Sequence, residues 1–147
     1  MAKLIEATGA AEVALVRELF AEYARLVDEP CCFADFDREL AELPGPYRLF
    51  LLQAAAGCVG VRFLDPQTAE MKRLYVRAAH RGKGLGRVLA EAAIAVAREA
   101  GCARIVLDTL PKMREAQALY GLLGFRRIEP YLREPTPGAI CFELRLS

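Results

Sequence analysis

Residues 70–86, with the sequence EMKRLYVRAAHRGKGLG, decide the fold of this chain. The apolar run Leu74–Val76 leads into a basic loop with glycine at every second position from 82 to 86. The residues that follow have the i, i+3, i+4 spacing of an amphipathic helix, carried by Leu85, Val88, Leu89, Ala92 and Val96. Gly101 stands where a left-handed C-terminal cap would end this helix. The stretch therefore predicts the order strand, loop, helix.

The glycine loop has the composition of an anion-binding site. Glycine has no Cβ, so the backbone can approach an anion closely, and the loop N–H groups add to the positive end of the following helix. Successive amides of this kind can surround a pyrophosphate. Arg81, Lys83 and Arg87 add positive charge around the loop. We therefore expect a phosphate-bearing ligand here.

Residues 81–86 match one of three known phosphate-binding patterns. A Walker A loop needs Ser or Thr after Gly-Lys, whereas Gly84 follows Lys83. The dinucleotide pattern G-x-G-x-x-G is absent, because the glycines are spaced G-x-G-x-G. The segment does match Arg/Gln-x-x-Gly-x-Gly/Ala. With its preceding strand, it resembles the acyl-CoA-binding motif of the GCN5-related N-acetyltransferase (GNAT) superfamily.

The resemblance implies two groups of cofactor contacts. The backbone of Leu74, Tyr75 and Val76 would bind the pantetheine arm and polarise the thioester carbonyl through a main-chain N–H. The pyrophosphate would lie against Arg81, Gly82, Lys83, Gly84, Leu85 and Gly86. Acetyl-CoA is the implied cosubstrate and acyl donor.

A second segment, residues 118–125 with the sequence ALYGLLGF, is similar to the Leu-Tyr-x-x-x-Gly-Phe run of the same superfamily. The tyrosine of that run commonly protonates the departing CoA thiolate, so the resemblance implies this role for Tyr120. The alternative is an ordinary core tyrosine on an amphipathic helix. One position departs from the family, because Met113 stands where many members have an asparagine that contacts the cofactor.

Glu70 is the candidate general base. It precedes Arg81 by eleven positions, the offset of the glutamate base in histone-type members of the superfamily, and the resemblance implies the same role. The alternative is a solvated glutamate at a strand end. The neighbouring Lys72 and Arg73 are expected to be surface charges, with pairing of one of them to a carboxylate of the acceptor as the alternative.

Amide formation from a thioester requires an amine held close to the carbonyl carbon, removal of its proton, and stabilisation of the oxyanion and the thiolate. No covalent enzyme intermediate is needed, and no cysteine has a histidine at a spacing typical of a nucleophilic pair. His80, the sole histidine, precedes the loop and is expected to be exposed to solvent. The sequence has no cluster of metal-ligating residues, so no metal is expected.

The whole chain predicts a mixed α and β fold. Strands are expected at 4–7, 47–53, 58–64, in the segment containing Glu70, at 103–108 and at 140–146. Helices are expected at 10–27, at 36–43, after the glycine loop and from Pro111 to Gly124. Thr8 and Thr109 are the expected N-caps of the first and last of these helices. Short links imply an antiparallel meander, and the strand-helix-strand order around the loop implies one parallel pair. We expect a GNAT-like, mostly antiparallel twisted sheet flanked by helices on both faces, as one domain over 1–147.

Composition restricts partners and location. The net charge of +1 and the pI of about 7.6 give no electrostatic reason to expect a nucleic acid or membrane partner. The five cysteines have no C-x-x-C spacing and are expected to be reduced thiols. No segment resembles a signal peptide or a membrane span, so the expected location is the cytoplasm.

The expected function is transfer of an acetyl group from acetyl-CoA to a primary amine of a small molecule or protein, by direct attack. A catalytically silent CoA-binding sensor or accessory module is the alternative, which Met113 mildly favours and which the retention of Glu70 and Tyr120 disfavours. A nucleotide-binding protein is a third, weakened by the missing Ser or Thr after Lys83. Amino acids, polyamines, aminoglycosides, protein N-termini and lysines all stay open as acceptors, and a homodimer is expected by resemblance.

Overall fold

The computed structural model describes residues 3–146, apart from the side chain of Cys31. In this part of the chain the strands are β1 (Leu4–Glu6), β2 (Arg48–Leu52), β3 (Gly57–Asp65), β4 (Thr68–Val76), β5 (Arg104–Thr109), β6 (Arg126–Ile128) and β7 (Ile140–Arg145). The α-helices are α1 (Ala10–Val27), α2 (Phe36–Ala41), α3 (Leu85–Glu99) and α4 (Arg114–Leu122). Short 3₁₀ helices occupy Pro30–Phe33, Gln53–Ala55 and Ala78–His80.

The strands form one sheet in the order β1-β2-β3-β4-β5-β7-β6. Neighbouring strands are antiparallel except β4 and β5, which pair in parallel through Thr68–Glu70 and Arg104–Val106. A parallel pair needs a long crossover, and α3 supplies it. The predicted mixed fold is therefore confirmed, including the single parallel pair beside the glycine loop.

Helices cover both faces of the sheet. Leu89 and Ala93 of α3 pack in a core on one face together with Val61 of β3. Leu19 and Phe20 of α1 pack in a second core on the opposite face. Successive residues of a strand point to opposite faces, so the central strands contribute to both cores. This double burial holds β4 and β5 in place.

The start of α1 differs from the prediction. The helix spans residues 10–27 as expected, but its N-cap is Gly9 and not Thr8. The Glu12 carboxylate accepts hydrogen bonds from the backbone N–H of Gly9 at 3.0 Å and of Thr8 at 3.3 Å. A side chain from inside the helix thus satisfies the free N–H groups that a threonine cap would have served.

The start of α4 was also predicted wrongly. The helix begins at Arg114 and its N-cap is Met113, so Thr109 is not the cap. Pro111 lies in a turn in which the Met113 N–H donates to the Leu110 carbonyl oxygen at 3.0 Å. The proline therefore starts a turn that precedes the helix, and α4 is shorter than the apolar pattern indicated.

Strand β6 was not anticipated. It pairs with β7 at the edge of the sheet, through Arg126 opposite Glu143 and Ile128 opposite Cys141. Three residues are too few for an alternating pattern to be recognised in a sequence.

Glu143 on β7 makes the sheet sensitive to acid. A hydrogen bond from Arg104 lowers the pKa of Glu143, and a second bond from Arg145 lowers it further, at 2.7 and 2.9 Å. A carboxylate whose pKa is lowered on folding stabilises the protein above its unfolded pKa, and that stabilisation disappears as the pH falls through the folded pKa.

We expect Glu143→Gln to lower the free energy of unfolding at neutral pH by about 1 kcal/mol and to reduce its decline in acid. Urea denaturation between about pH 7 and pH 3 measures both effects. Glu42→Gln is the control, because Glu42 pairs with Arg38 at a site where both side chains are exposed. Parallel pH curves for wild type and Glu143→Gln would contradict the prediction.

Candidate functional site

The two parallel strands separate beyond their short paired segment. The last paired residues are Glu70 of β4 and Val106 of β5, although β4 continues to Val76 and β5 to Thr109. Opposite β3, the β4 strand contains one extra residue, and Arg73 within this bulge has a left-handed φ of 59°. A cavity of about 690 Å³ opens between the separated ends of β4 and β5.

The glycine loop forms one end of this cavity. Gly82 and Gly84 have φ values of 80° and 74°, a region that residues with a Cβ rarely adopt. Gly84 is the N-cap of α3, and a Cβ built on either glycine would meet no protein atom within 4 Å. Arg81 and Gly86 also line the cavity, whereas Lys83 is exposed and does not. The loop thus presents open backbone at a helix N-terminus.

The predicted pantetheine-binding residues lie along the wall. Leu74, Tyr75 and Val76 all line the cavity. This part of β4 has no hydrogen-bonded partner in β5, so its backbone edge on that side is available to a ligand. The Val76 carbonyl oxygen accepts a hydrogen bond from Arg81 Nε at 3.1 Å, which links the strand to the glycine loop.

Tyr120 of α4 lies on the opposite wall. It lines the cavity although only 5% of its surface is exposed, and its ring packs against Phe125 and Phe142. Burial raises the pKa of Tyr120 well above its usual range, with smaller contributions from Tyr23 and Asp108. The phenol is therefore protonated at neutral pH, as a proton donor must be.

Glu70 is fully buried, so the alternative of a solvated glutamate is wrong. One carboxylate oxygen accepts a hydrogen bond from Arg62 Nε, and the other accepts one from the Tyr131 hydroxyl. Glu70 does not line the cavity, but it is the residue at which β4 and β5 part. The structure therefore places Glu70 beside the cavity and Tyr120 on its wall.

Met113 fills the position at which the family asparagine was expected. Its sulfur accepts hydrogen bonds from the Thr109 hydroxyl at 3.3 Å and the Tyr23 hydroxyl at 3.8 Å. Met113 also lines the cavity. It joins α1 to the start of α4 across the cavity.

The residues at the other end of the cavity belong to no motif that can be recognised in the sequence. Tyr23 of α1 and Phe33 of the following 3₁₀ helix contribute aromatic rings, and Thr136 reaches in from the segment before β7. Lys72 and Arg73 are not the surface charges that were expected, since their side chains are 15% and 7% exposed. Lys72 pairs with Asp108 inside the cavity, with 3.5 Å between Nζ and Oδ1.

His80 is half-buried and lines the cavity next to the glycine loop, so it is less exposed than expected. Among residues 3–146 no group of three or more His, Cys, Asp or Glu side chains is arranged to hold a metal ion. No helix in the same range combines the length and apolar character needed to cross a membrane.

Comparison with known proteins agrees with this geometry. The model of the acetyltransferase (GNAT) family matches residues 13–125. An uncharacterised N-acetyltransferase of Schizosaccharomyces pombe is 37% identical over 139 residues, covering 88% of this chain and 85% of the relative.

Solved structures share the fold. An acetyltransferase of Streptococcus agalactiae has a TM-score of 0.78 at 19% identity, covering 99% of this chain and 98% of the other. A protein of Salmonella typhimurium, solved with its cofactor acetyl-CoA, has a TM-score of 0.76 at 20% identity, covering 100% and 95%.

The mostly antiparallel sheet, split at one parallel pair beside a glycine loop, is the fold that this chain shares with those solved acetyltransferases. The chain belongs to the acetyltransferase (GNAT) family, and it is an acetyltransferase.

Proposed function

We propose that the protein transfers an acetyl group from acetyl-CoA to a primary amine of a small molecule or protein, by direct attack of the amine on the thioester. The observation that carries the proposal is the left-handed glycine loop, which opens at the N-terminus of α3 into the cavity between β4 and β5. The exposed backbone N–H groups of the loop and the positive end of the helix dipole favour binding of a pyrophosphate. The solved relative with acetyl-CoA supports the same ligand.

In this proposal the cofactor extends from the loop along β4. Arg81, Gly82, Gly84, Leu85 and Gly86 bind the pyrophosphate, and Lys83 contributes long-range charge from outside the cavity. The backbone at 74–76 binds the pantetheine arm and polarises the thioester carbonyl. This path brings the thioester to the point where β4 and β5 separate.

Tyr120 is proposed as the acid that protonates the CoA thiolate. Its hydroxyl belongs to a side chain on the cavity wall, and a phenol carries the proton that the departing sulfur needs. The burial of this side chain excludes water around the leaving group.

Glu70 is proposed as the general base, and the proton of the amine is proposed to reach it indirectly. Arg62 and Tyr131 occupy its two carboxylate oxygens, and the side chain does not reach the cavity wall. A proton from the amine would therefore travel to Glu70 through the Tyr131 hydroxyl or a water molecule.

Glu70→Gln tests this role. We expect unchanged acetyl-CoA affinity and a fall in kcat of about a hundredfold or more, because the amide cannot take the proton. Calorimetry and thiol release measure the two quantities, and a thermal melt checks that loss of the Arg62 partner has not unfolded the variant.

Tyr131→Phe is the companion variant, because it removes the hydroxyl but leaves the carboxylate. A similar fall in kcat would assign the proton route to Tyr131, and full activity would assign it to water. Equal activity of wild type and Glu70→Gln across pH would remove Glu70 from the mechanism.

The experiment that tests the function itself is calorimetric titration with acetyl-CoA, with ATP and NAD as controls, followed by thiol release against a panel of amines. Selective binding with amine-dependent release is the expected result. Binding without release would favour the alternative of a CoA-binding sensor, and absence of binding would reject the function assigned to residues 81–86. A cytoplasmic location and a homodimer stay predictions.

A further inference from the structure

Lys72 and Asp108 form an ion pair at the end of the cavity that lies away from the glycine loop. Each residue stands two positions beyond the last paired residues, Glu70 on β4 and Val106 on β5, so the two side chains share one face of the sheet. The pair therefore bridges the strands where their backbone pairing has stopped. Both side chains are 15% exposed, and both line the cavity.

This ion pair has bonding capacity left for a ligand. Its 3.5 Å separation exceeds the roughly 2.7–2.9 Å of a charge-assisted hydrogen bond. An ammonium has three donors and a carboxylate has about four acceptor sites, so one long contact satisfies neither group. Water or a substrate in the cavity must supply the rest.

The neighbouring cations are committed to protein partners. Arg73 binds the Glu39 carboxylate through two nitrogens and also donates to the Cys32 carbonyl oxygen. Lys112 donates to the Val27 carbonyl oxygen and pairs with Glu29. Lys72 differs, because its partner Asp108 is itself a wall residue of the cavity.

We propose that the acceptor is a zwitterionic amine, namely a free amino acid, whose ammonium binds Asp108 and whose carboxylate binds Lys72. Such a ligand can insert between the two ions so that each charge keeps a counter-ion. The inference rests on the proposed function and names its substrate class. Asp108 and Lys72 act in it as the residues that position and select the acceptor.

Other acceptors fit this pair less well. A polyamine or aminoglycoside would bring a second ammonium beside Lys72, and an amine without a carboxylate would separate Lys72 from Asp108 without replacing the lost partner.

The proposed position is compatible with the chemistry. Asp108 and Tyr120 both line the cavity, so an amine on Asp108 would share it with the proposed leaving-group acid. The acceptor nitrogen forms the amide C–N bond, the thioester C–S bond breaks, and CoA leaves as the thiol. One proton from the ammonium is released to solvent in the overall reaction.

The test compares apolar amino acids, such as leucine and phenylalanine, with their amides and their decarboxylated amines in the thiol-release assay. We expect kcat/KM for the free acid to exceed that for each analogue by about tenfold or more, because a buried ion left unpaired rejects the analogue. Lys72→Met should reduce this ratio to near one. Lys112→Met is the matched control and should leave the ratio unchanged.

Asp108→Asn should lower kcat/KM for all amines without changing the acetyl-CoA affinity. If this variant fails to fold, the acid-to-amide ratio in wild type and in Lys72→Met still tests the proposal. Equal rates with acids and amides, preference for peptides or polyamines, or no thiol release with any amino acid would overturn it. Those outcomes leave the proposed function standing if acetyl-CoA binds and another amine releases thiol, whereas failure of acetyl-CoA binding would overturn that function itself.

Discussion

Gly84→Val is expected to weaken acetyl-CoA binding by about a hundredfold or more, equivalent to about 2.7 kcal/mol. A Cβ at Gly84 meets no protein atom within 4 Å, so the new methyl groups would occupy the space that we assign to the pyrophosphate. The residue also has a φ of 74°, at which a β-branched side chain costs about 1–2 kcal/mol of backbone strain. Calorimetric titration with acetyl-CoA gives the change in Kd.

Gly101→Val is the control that separates the effect of backbone strain from the effect of blocking the proposed pyrophosphate site. Gly101 has a φ of 80° and an equally open Cβ position, but it follows the other end of α3 and does not line the cavity. Gly101→Val should lower the melting temperature by about as much as Gly84→Val does, and it should leave the acetyl-CoA Kd unchanged. Wild-type affinity in a folded Gly84→Val variant would reject the assignment of the loop.

Tyr120→Phe is expected to lower kcat by about a hundredfold or more while leaving the acetyl-CoA Kd nearly unchanged. The substitution removes only the hydroxyl, and the ring keeps its contacts with Phe125 and Phe142. Without a donor on the cavity wall, the thiolate must leave unprotonated or take its proton from water. Single-turnover thiol release measures the chemical step directly.

Tyr47→Phe is the control for this substitution. Tyr47 is a buried tyrosine in the core on the other face of the sheet, and burial raises its pKa to about 12. It does not line the cavity, so its variant should keep the wild-type kcat. Full activity of Tyr120→Phe would contradict the catalytic role and favour the alternative that Tyr120 is an ordinary core tyrosine.

The glycine loop and its flanking strand and helix could be predicted from the sequence because their information is contiguous. A strand, a glycine loop and a helix start follow one another within residues 70–86, and each has a local signature. The left-handed φ values of Gly82 and Gly84 belong to positions where only glycine is free of strain. The helix caps were less predictable, since Glu12 and Pro111 act locally in place of the predicted caps Thr8 and Thr109.

The ion pair at the proposed acceptor end of the cavity could not be predicted in this way. Lys72 and Asp108 are far apart in the sequence and meet only because β4 and β5 pair in parallel and then separate. Arg73 is buried because the bulge turns it toward Glu39, and the sequence around it reads as an ordinary basic surface. Side-chain neighbours across strands depend on register, and one extra residue changes the face to which every later side chain points.

The sequence by itself determined the family and the order of strands and helices around the loop, because these depend on local motifs, backbone conformation and periodicity. Only the tertiary structure decided that Glu70 is enclosed by Arg62 and Tyr131, and that a lysine and an aspartate face each other in the cavity. Those partners come from separate strands and from the segment before β7, and packing of the sheet with its helices brings them together.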